Sequence, residues 1–95
     1  MEREEVLRRI REHLPELEQF DVRSISLFGS VARDEAGPQS DVDVLVEFGE
    51  ATFKGYMGLK FFLEDLLGTK VDVATVKGLK PRVLASAMRE AVRVA

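Results

Sequence analysis

The stretch from Ser26 to Phe48 leaves the chain few ways to fold. It reads SLFGSVARDEAGPQSDVDVLVEF: an apolar strand, a glycine turn, a short helix, a loop stopped by Gly37-Pro38, and a second apolar strand. Gly29-Ser30 falls where the first strand ends and the helix begins. A helix start presents unpaired backbone N–H groups and the positive end of the dipole, which suits a phosphate. Gly29 lets the backbone approach that phosphate closely, and Ser30 adds a hydroxyl donor. Asp41 and Asp43 stand two apart on the second strand, so their carboxylates point the same way. Two carboxylates aimed at one spot repel unless a cation lies between them, and hard oxygen ligands beside a phosphate seat suggest Mg²⁺. The stretch therefore points to metal-assisted chemistry on a nucleotide.

A plainer reading of Asp41-Val-Asp43-Val is the alternation of any half-exposed strand. Two features weigh against it. Aspartate is a poor strand former, and here two occupy the start of one strand; the Gly-Ser turn also lies at a distance that lets a phosphate seat and a metal site converge. Asp72, between Val71 and Val73, is either one exposed residue on an edge strand or the third member of a carboxylate triad, if its strand lies beside the second. Arg33, one turn into the short helix, can reach a phosphate or pair with a nearby carboxylate. Ser40 shapes the loop ahead of Asp41 and joins Gly29, Ser30 and Arg33 as a candidate nucleotide-binding residue. Glu47 is too far along its strand to share the metal site and reads as solvated.

The remaining segments supply the layers around this unit. Residues 2–14 read as a helix with Val6, Ile10 and Leu14 on one face, broken near Pro15, with a short turn through about Gln19. His13, beside that break, has no partner pattern and reads as a surface histidine. Val22–Phe28 is the first strand, apolar enough to be covered on both faces. The short helix covers 30–36 in about two turns, and 41–48 is the second strand. Thr52 caps a long helix over 53–67, and Gly68 ends it. Lys70–Val76 is the third strand. Pro81 opens a final helix with Val83, Leu84, Ala87, Met88, Ala91 and Val92 as its core-facing stripe. The expected architecture is a small α/β domain spanning 1–95: a mixed sheet of at least three strands covered by helices.

Charge and composition narrow the function classes. The chain carries a net charge of −3 and no lysine- or arginine-rich run, so long nucleic acid is not the expected partner. A single nucleotide remains compatible, because a metal ion can supply the positive charge. With no cysteine there is neither a disulfide framework nor thiolate chemistry. No run reads as a membrane span or signal peptide, and a cytoplasmic location is expected.

Gly-Ser, nine residues, then Ser-Asp-x-Asp on an apolar strand resembles the signature of the DNA polymerase β-type nucleotidyltransferase superfamily. The run Leu-Phe-Gly-Ser-x-Ala-Arg resembles its smallest branch, the minimal nucleotidyltransferase (MNT) proteins, many of which are antitoxins paired with a helical HEPN toxin. The resemblance spans Val22 to about Val92. One departure is Asp34, where this branch often has glycine. The resemblance implies a polymerase β-like core and a third acidic residue on the later strand, matched by Asp72. It implies transfer of a nucleoside monophosphate from a triphosphate, ATP above all, with two Mg²⁺ held by Asp41, Asp43 and Asp72. Gly29 and Ser30 would seat the outer phosphates, and a hydroxyl on a HEPN toxin, such as a tyrosine, would be the acceptor. Two other functions are weighed beside it. One is a non-catalytic antitoxin that covers its toxin; the other is a transferase acting on a small molecule, for which 95 residues leave little chain to build an acceptor pocket.

Overall fold

The computed structural model describes residues 2–35, 37 and 41–95. Helix α1 (Arg3–Arg11) buries Val6, Leu7 and Ile10, with Glu4 and Glu5 in its first turn and Arg8, Arg9 and Arg11 in its last, an arrangement that complements the dipole. Glu5 and Arg9 pair at 2.7 Å one turn apart. The helix is shorter than the 2–14 expected. Pro15 explains the difference: its ring would collide with the carbonyl of Arg11, four residues back, and the chain restarts as the one-turn α2 (Leu14–Leu17) followed by a 3₁₀ turn (Glu18–Phe20).

Strand β1 (Val22–Phe28) leads into α3 (Gly29–Ala32), and β2 (Val42–Phe48) follows. The short helix makes one turn where two were expected. It ends at Arg33, and Asp34 then takes a left-handed conformation (φ 59°), which glycine adopts at no cost and aspartate tolerates.

Helix α4 (Phe53–Leu67) runs between the residues expected: the Thr52 hydroxyl accepts the Gly55 N–H at 3.0 Å, and Gly68 ends the helix at φ 69°. Strand β3 (Val71–Thr75), helix α5 (Pro81–Glu90) and strand β4 (Val92–Arg93) complete the chain. The four strands lie in the order β3-β2-β1-β4. β1 is antiparallel to both neighbours, and β2 is parallel to β3.

Alternation splits this sheet into two unlike faces. One carries Ile25, Leu27, Val42, Val44, Val46, Phe48, Val71 and Val73, all buried with Val6 and Ile10 of α1 and Leu59, Leu63 and Leu67 of α4 in a single core. Each such side chain contributes about 1.5–3 kcal/mol. The opposite face carries Ser24, Ser26, Asp43, Leu45 and Asp72, and among the described residues α5 is the helix that crosses it. β1 is therefore not closed on both faces: Ser24 and Ser26 are half-buried.

The C-terminal segment departs most from the expected pattern. Of the stripe expected to face the core, only Ala87 is buried in α5; Val83 and Met88 are 50% and 59% exposed. Ala91 is already extended and Val92 lies in β4. The reason is the open edge of β1. The Val94 N–H donates to the Ile25 carbonyl at 2.9 Å and the Ile25 N–H to the Ala95 carbonyl at 3.2 Å, so satisfying the edge outweighs one more helical turn. Arg11 holds the segment in place, donating to the carbonyls of Val94 and Arg93 at 3.1 Å each. Among the described residues no helix is long and apolar enough to cross a membrane.

Candidate active site

The parallel register of β2 and β3 sets Asp43 directly beside Asp72. Paired residues of neighbouring strands project to the same side of a sheet, so both carboxylates rise from the open face. On the other flank of β2, Asp43 pairs with Phe28, the last residue of β1, and Gly29 follows at once. Gly29 is left-handed (φ 72°), and a Cβ there would run into the Asp43 carboxylate. The glycine serves both demands: a conformation other residues resist, and space for the acidic side chain against the backbone.

Three of the expected carboxylates sense one another. Asp43 is half-buried, while Asp41, just ahead of β2, and Asp72 are exposed. The Asp43 carboxyl is raised above the usual aspartate range, first by burial and then by the negative charges of Asp72 and Asp41; Arg33 opposes the shift. Among the described residues no three His, Cys, Asp or Glu side chains are already drawn together as a metal cage. The donor set nevertheless fits a hard divalent cation: carboxylate oxygens only, in mutual repulsion that such a cation would relieve.

The remaining candidates occupy the same end of the sheet. Ser30 is the second residue of α3, half-buried. Arg33 lies at the end of that helix, where Nε donates to Glu35 at 3.1 Å and Nη1 to Glu90 at 2.8 Å. Of the two roles open to Arg33 in the sequence, carboxylate pairing is the one it adopts here, close enough to Asp43 to influence its charge. Ser40 lies outside the described residues. Glu47 is exposed at the far end of β2, away from the aspartates.

Two groups of supporting residues escaped the sequence reading. Glu90 holds Arg33 from 57 residues away, and no local pattern announces that contact. Tyr56, Lys60 and Glu64 fasten the outer edge of β3 to α4. The Tyr56 hydroxyl donates to the Val73 carbonyl at 2.9 Å, Lys60 Nζ to the Val71 carbonyl at 2.6 Å, and Glu64 Oε2 accepts the Val71 N–H at 3.1 Å. These bonds satisfy an otherwise bare sheet edge and fix the register that brings Asp72 beside Asp43. The Val71 N–H, and next Lys60, hold the Glu64 carboxyl below its ordinary range. Their signal was present: three residues with polar ends spaced four apart along a largely apolar helix.

Comparison with known proteins places this arrangement. Residues 7–94 match the nucleotidyltransferase domain family. The chain is 41% identical over 93 residues to the protein adenylyltransferase MntA of Thermococcus cleftensis, covering 96% of this chain and 94% of the relative. A solved structure described as a provisional minimal nucleotidyltransferase superposes with a TM-score of 0.84 at 41% identity, over 97% of this chain and 95% of that one. The fold is also that of an MNT antitoxin solved in complex with a tri-AMPylated HEPN toxin of Shewanella oneidensis. That pair aligns at a TM-score of 0.65 and 16% identity, over 90% of this chain and 68% of the other. Matched over residues 7–94 by the family and over nearly all of its length by relatives 41% identical to it, this protein is a member of the nucleotidyltransferase domain family, in its minimal form.

Proposed function

We propose that this chain is a single catalytic unit that transfers AMP from ATP to a hydroxyl of a HEPN-type toxin, as the antitoxin of a toxin–antitoxin pair. The observation that carries the reading is the pairing of Asp43 with Asp72 across β2 and β3, with Gly29 packed behind Asp43. The T. cleftensis relative is named a protein adenylyltransferase, and the S. oneidensis antitoxin was solved with an AMPylated toxin; both support the same assignment. A cytoplasmic setting, where nucleoside triphosphates are abundant, belongs to the proposal.

The residues divide the work by position. Asp41 and Asp43 hold the Mg²⁺ that accompanies the triphosphate, and Asp72 joins them in holding a second. Bound there, the metal ions supply charge stabilisation for the phosphates and for the attacking oxygen. Gly29 and Ser30 receive the outer phosphates, and Ser40 is assigned to the same nucleotide site from its place in the sequence. Arg33 is released from Glu35 and Glu90 as phosphate charge arrives, a trade between exposed ion pairs that costs little. Asp72, exposed and least committed to the triphosphate, accepts the proton of the acceptor hydroxyl. The hydroxyl oxygen bonds to the α-phosphorus, the bond from that phosphorus to the bridging oxygen breaks, and pyrophosphate departs. Alignment of the acceptor falls to the partner protein docked over the open face, through an interface of ~1,600 Å² in total.

Labelled ATP incubated with this chain and the protein encoded beside it tests the proposal. The label should move onto the neighbour and not appear on free small molecules. Rapid labelling of a free small molecule by the lone chain would overturn the assignment of a protein acceptor.

A further inference from the structure

Helix α4 covers the dry face of the sheet and leaves its own outer side bare. Leu59, Leu63 and Leu67 are buried beneath it, whereas Phe61 and Phe53 are 58% and 80% exposed. Two residues removed from both Leu59 and Leu63, Phe61 projects from the opposite side of the helix. Beside the N-terminal half of α4 lies a hollow of about 440 Å³, lined in part by Phe20, Lys54, Gly55 and Gly58. The two glycines leave the helix backbone bare there, and a Cβ at Gly58 would strike the Phe20 ring. One helix thus carries an aromatic knob toward its C-terminal end and a hole toward its N-terminal end. Charges of opposite sign flank them: Lys54 on the rim of the hollow, and Asp65 one turn beyond Phe61. Both are exposed, and neither forms a salt bridge among the described residues. Eleven residues apart, they differ by only about 20° around the helix, on the side that Phe61 occupies.

We propose that this face is covered by a second copy of the chain, the two α4 helices packing antiparallel across a twofold axis. A twofold interface requires a surface complementary to itself, and α4 meets that demand in shape and in charge. An axis passing between Leu59 and Lys60 sets Phe61 level with Gly58 of the partner subunit, and Lys54 level with Asp65 of the partner subunit. Each Phe61 then enters the hollow of the other chain, and a Lys54–Asp65 pair closes over each end. The carboxylates lie on the other side of the sheet from α4, so this pairing leaves both open faces free. A protein that delivers a hydroxyl to those carboxylates has to cover the side that the dimer leaves bare. The inference does not depend on the transferase reading.

A contact centred on one helix is small, so the association should depend on concentration. Sedimentation equilibrium of the full chain, from micromolar to millimolar, should pass from the mass of one chain to that of two. Phe61→Asp should weaken the association at least about tenfold, as loss of a central aromatic anchor does, while its melting curve at high dilution matches that of the wild-type chain. Lys54→Glu and Asp65→Lys should each weaken the dimer, and the double variant should restore it, a rescue that damage to the helix would not produce. A single-chain mass at every concentration, a dimer untouched by Phe61→Asp, or a double variant no better than the single ones would overturn the proposal. So would a wild-type monomer that holds the neighbouring protein and loses it on Phe61→Asp, which would assign the face to that protein instead.

Discussion

The two faces of one four-stranded sheet meet opposite fates. The face beneath α1 and α4 is dry: Val44, Val46, Leu27, Leu59 and Leu63 have no exposed surface. The other carries serines and aspartates, and the helix that crosses it buries a single alanine. A strand with a period of two can serve both purposes at once, because alternate residues never meet. In β2 the valines hold the fold and Asp43 between them is left for chemistry. Stability and function are thereby divided residue by residue, and substitutions should separate them.

The sharpest separation is expected at Asp43. Asp43→Asn should lower transfer roughly a thousandfold, the loss of a few kcal/mol of charge stabilisation, while raising the melting temperature without divalent ions. Its pH dependence follows from the raised carboxyl. The folded chain protonates Asp43 at a higher pH than the unfolded chain does. Stability therefore falls as pH rises from the ordinary aspartate range through the raised value. Thermal melts across that window should show this slope in the wild-type chain and a weaker one in the variant.

The dry face should behave in reverse. Leu63→Ala should cost about 2–5 kcal/mol in denaturant titration, with transfer per folded molecule unchanged. Gly29→Ala lies between the faces in its effects: a left-handed alanine costs ~1–2 kcal/mol, and the displaced Asp43 side chain should reduce transfer too. Unimpaired transfer in this variant would mean that the glycine serves the turn alone.

Smaller effects are expected at the periphery. Glu64→Gln should lower the melting temperature by less than Leu63→Ala, by weakening the tie between α4 and β3. Because the Glu64 carboxyl sits below its ordinary range, its contribution is present above the unfolded-state value and lost as pH falls through the folded one, opposite in sign to Asp43. Met88→Ala, at an exposed position on α5, should change stability by no more than about 0.5 kcal/mol. A large loss there would mean that α5 packs far more tightly than its exposure indicates.

Much of this division was legible in the residues. The Val-x-Val alternation of β2, the Thr52 cap and the Gly68 stop place their elements within a residue of where they lie, because each is a local preference. The aspartates could be paired on paper only on the assumption that β3 joins β2, and the register supplies that adjacency. What escaped were choices made by distant groups. The bare edge of β1 recruits the last residues as β4 and ends α5 early, although Ala91 and Val92 continue its apolar stripe. Glu90 reaches Arg33 only because α5 returns along the sheet to the site. Pro15 was visible, but its reach back to Arg11 was underestimated.

The central claim is that the open face is built for a metal–nucleotide pair, its carboxylates repelling a nucleotide that arrives alone. Calorimetry of ATP binding with Mg²⁺ and with a chelator in its place tests this most directly. The account predicts a clear binding heat with Mg²⁺, none with the chelator, and a weaker one with Mg²⁺ in Ser30→Ala. Equally tight binding in the absence of any divalent ion would contradict it.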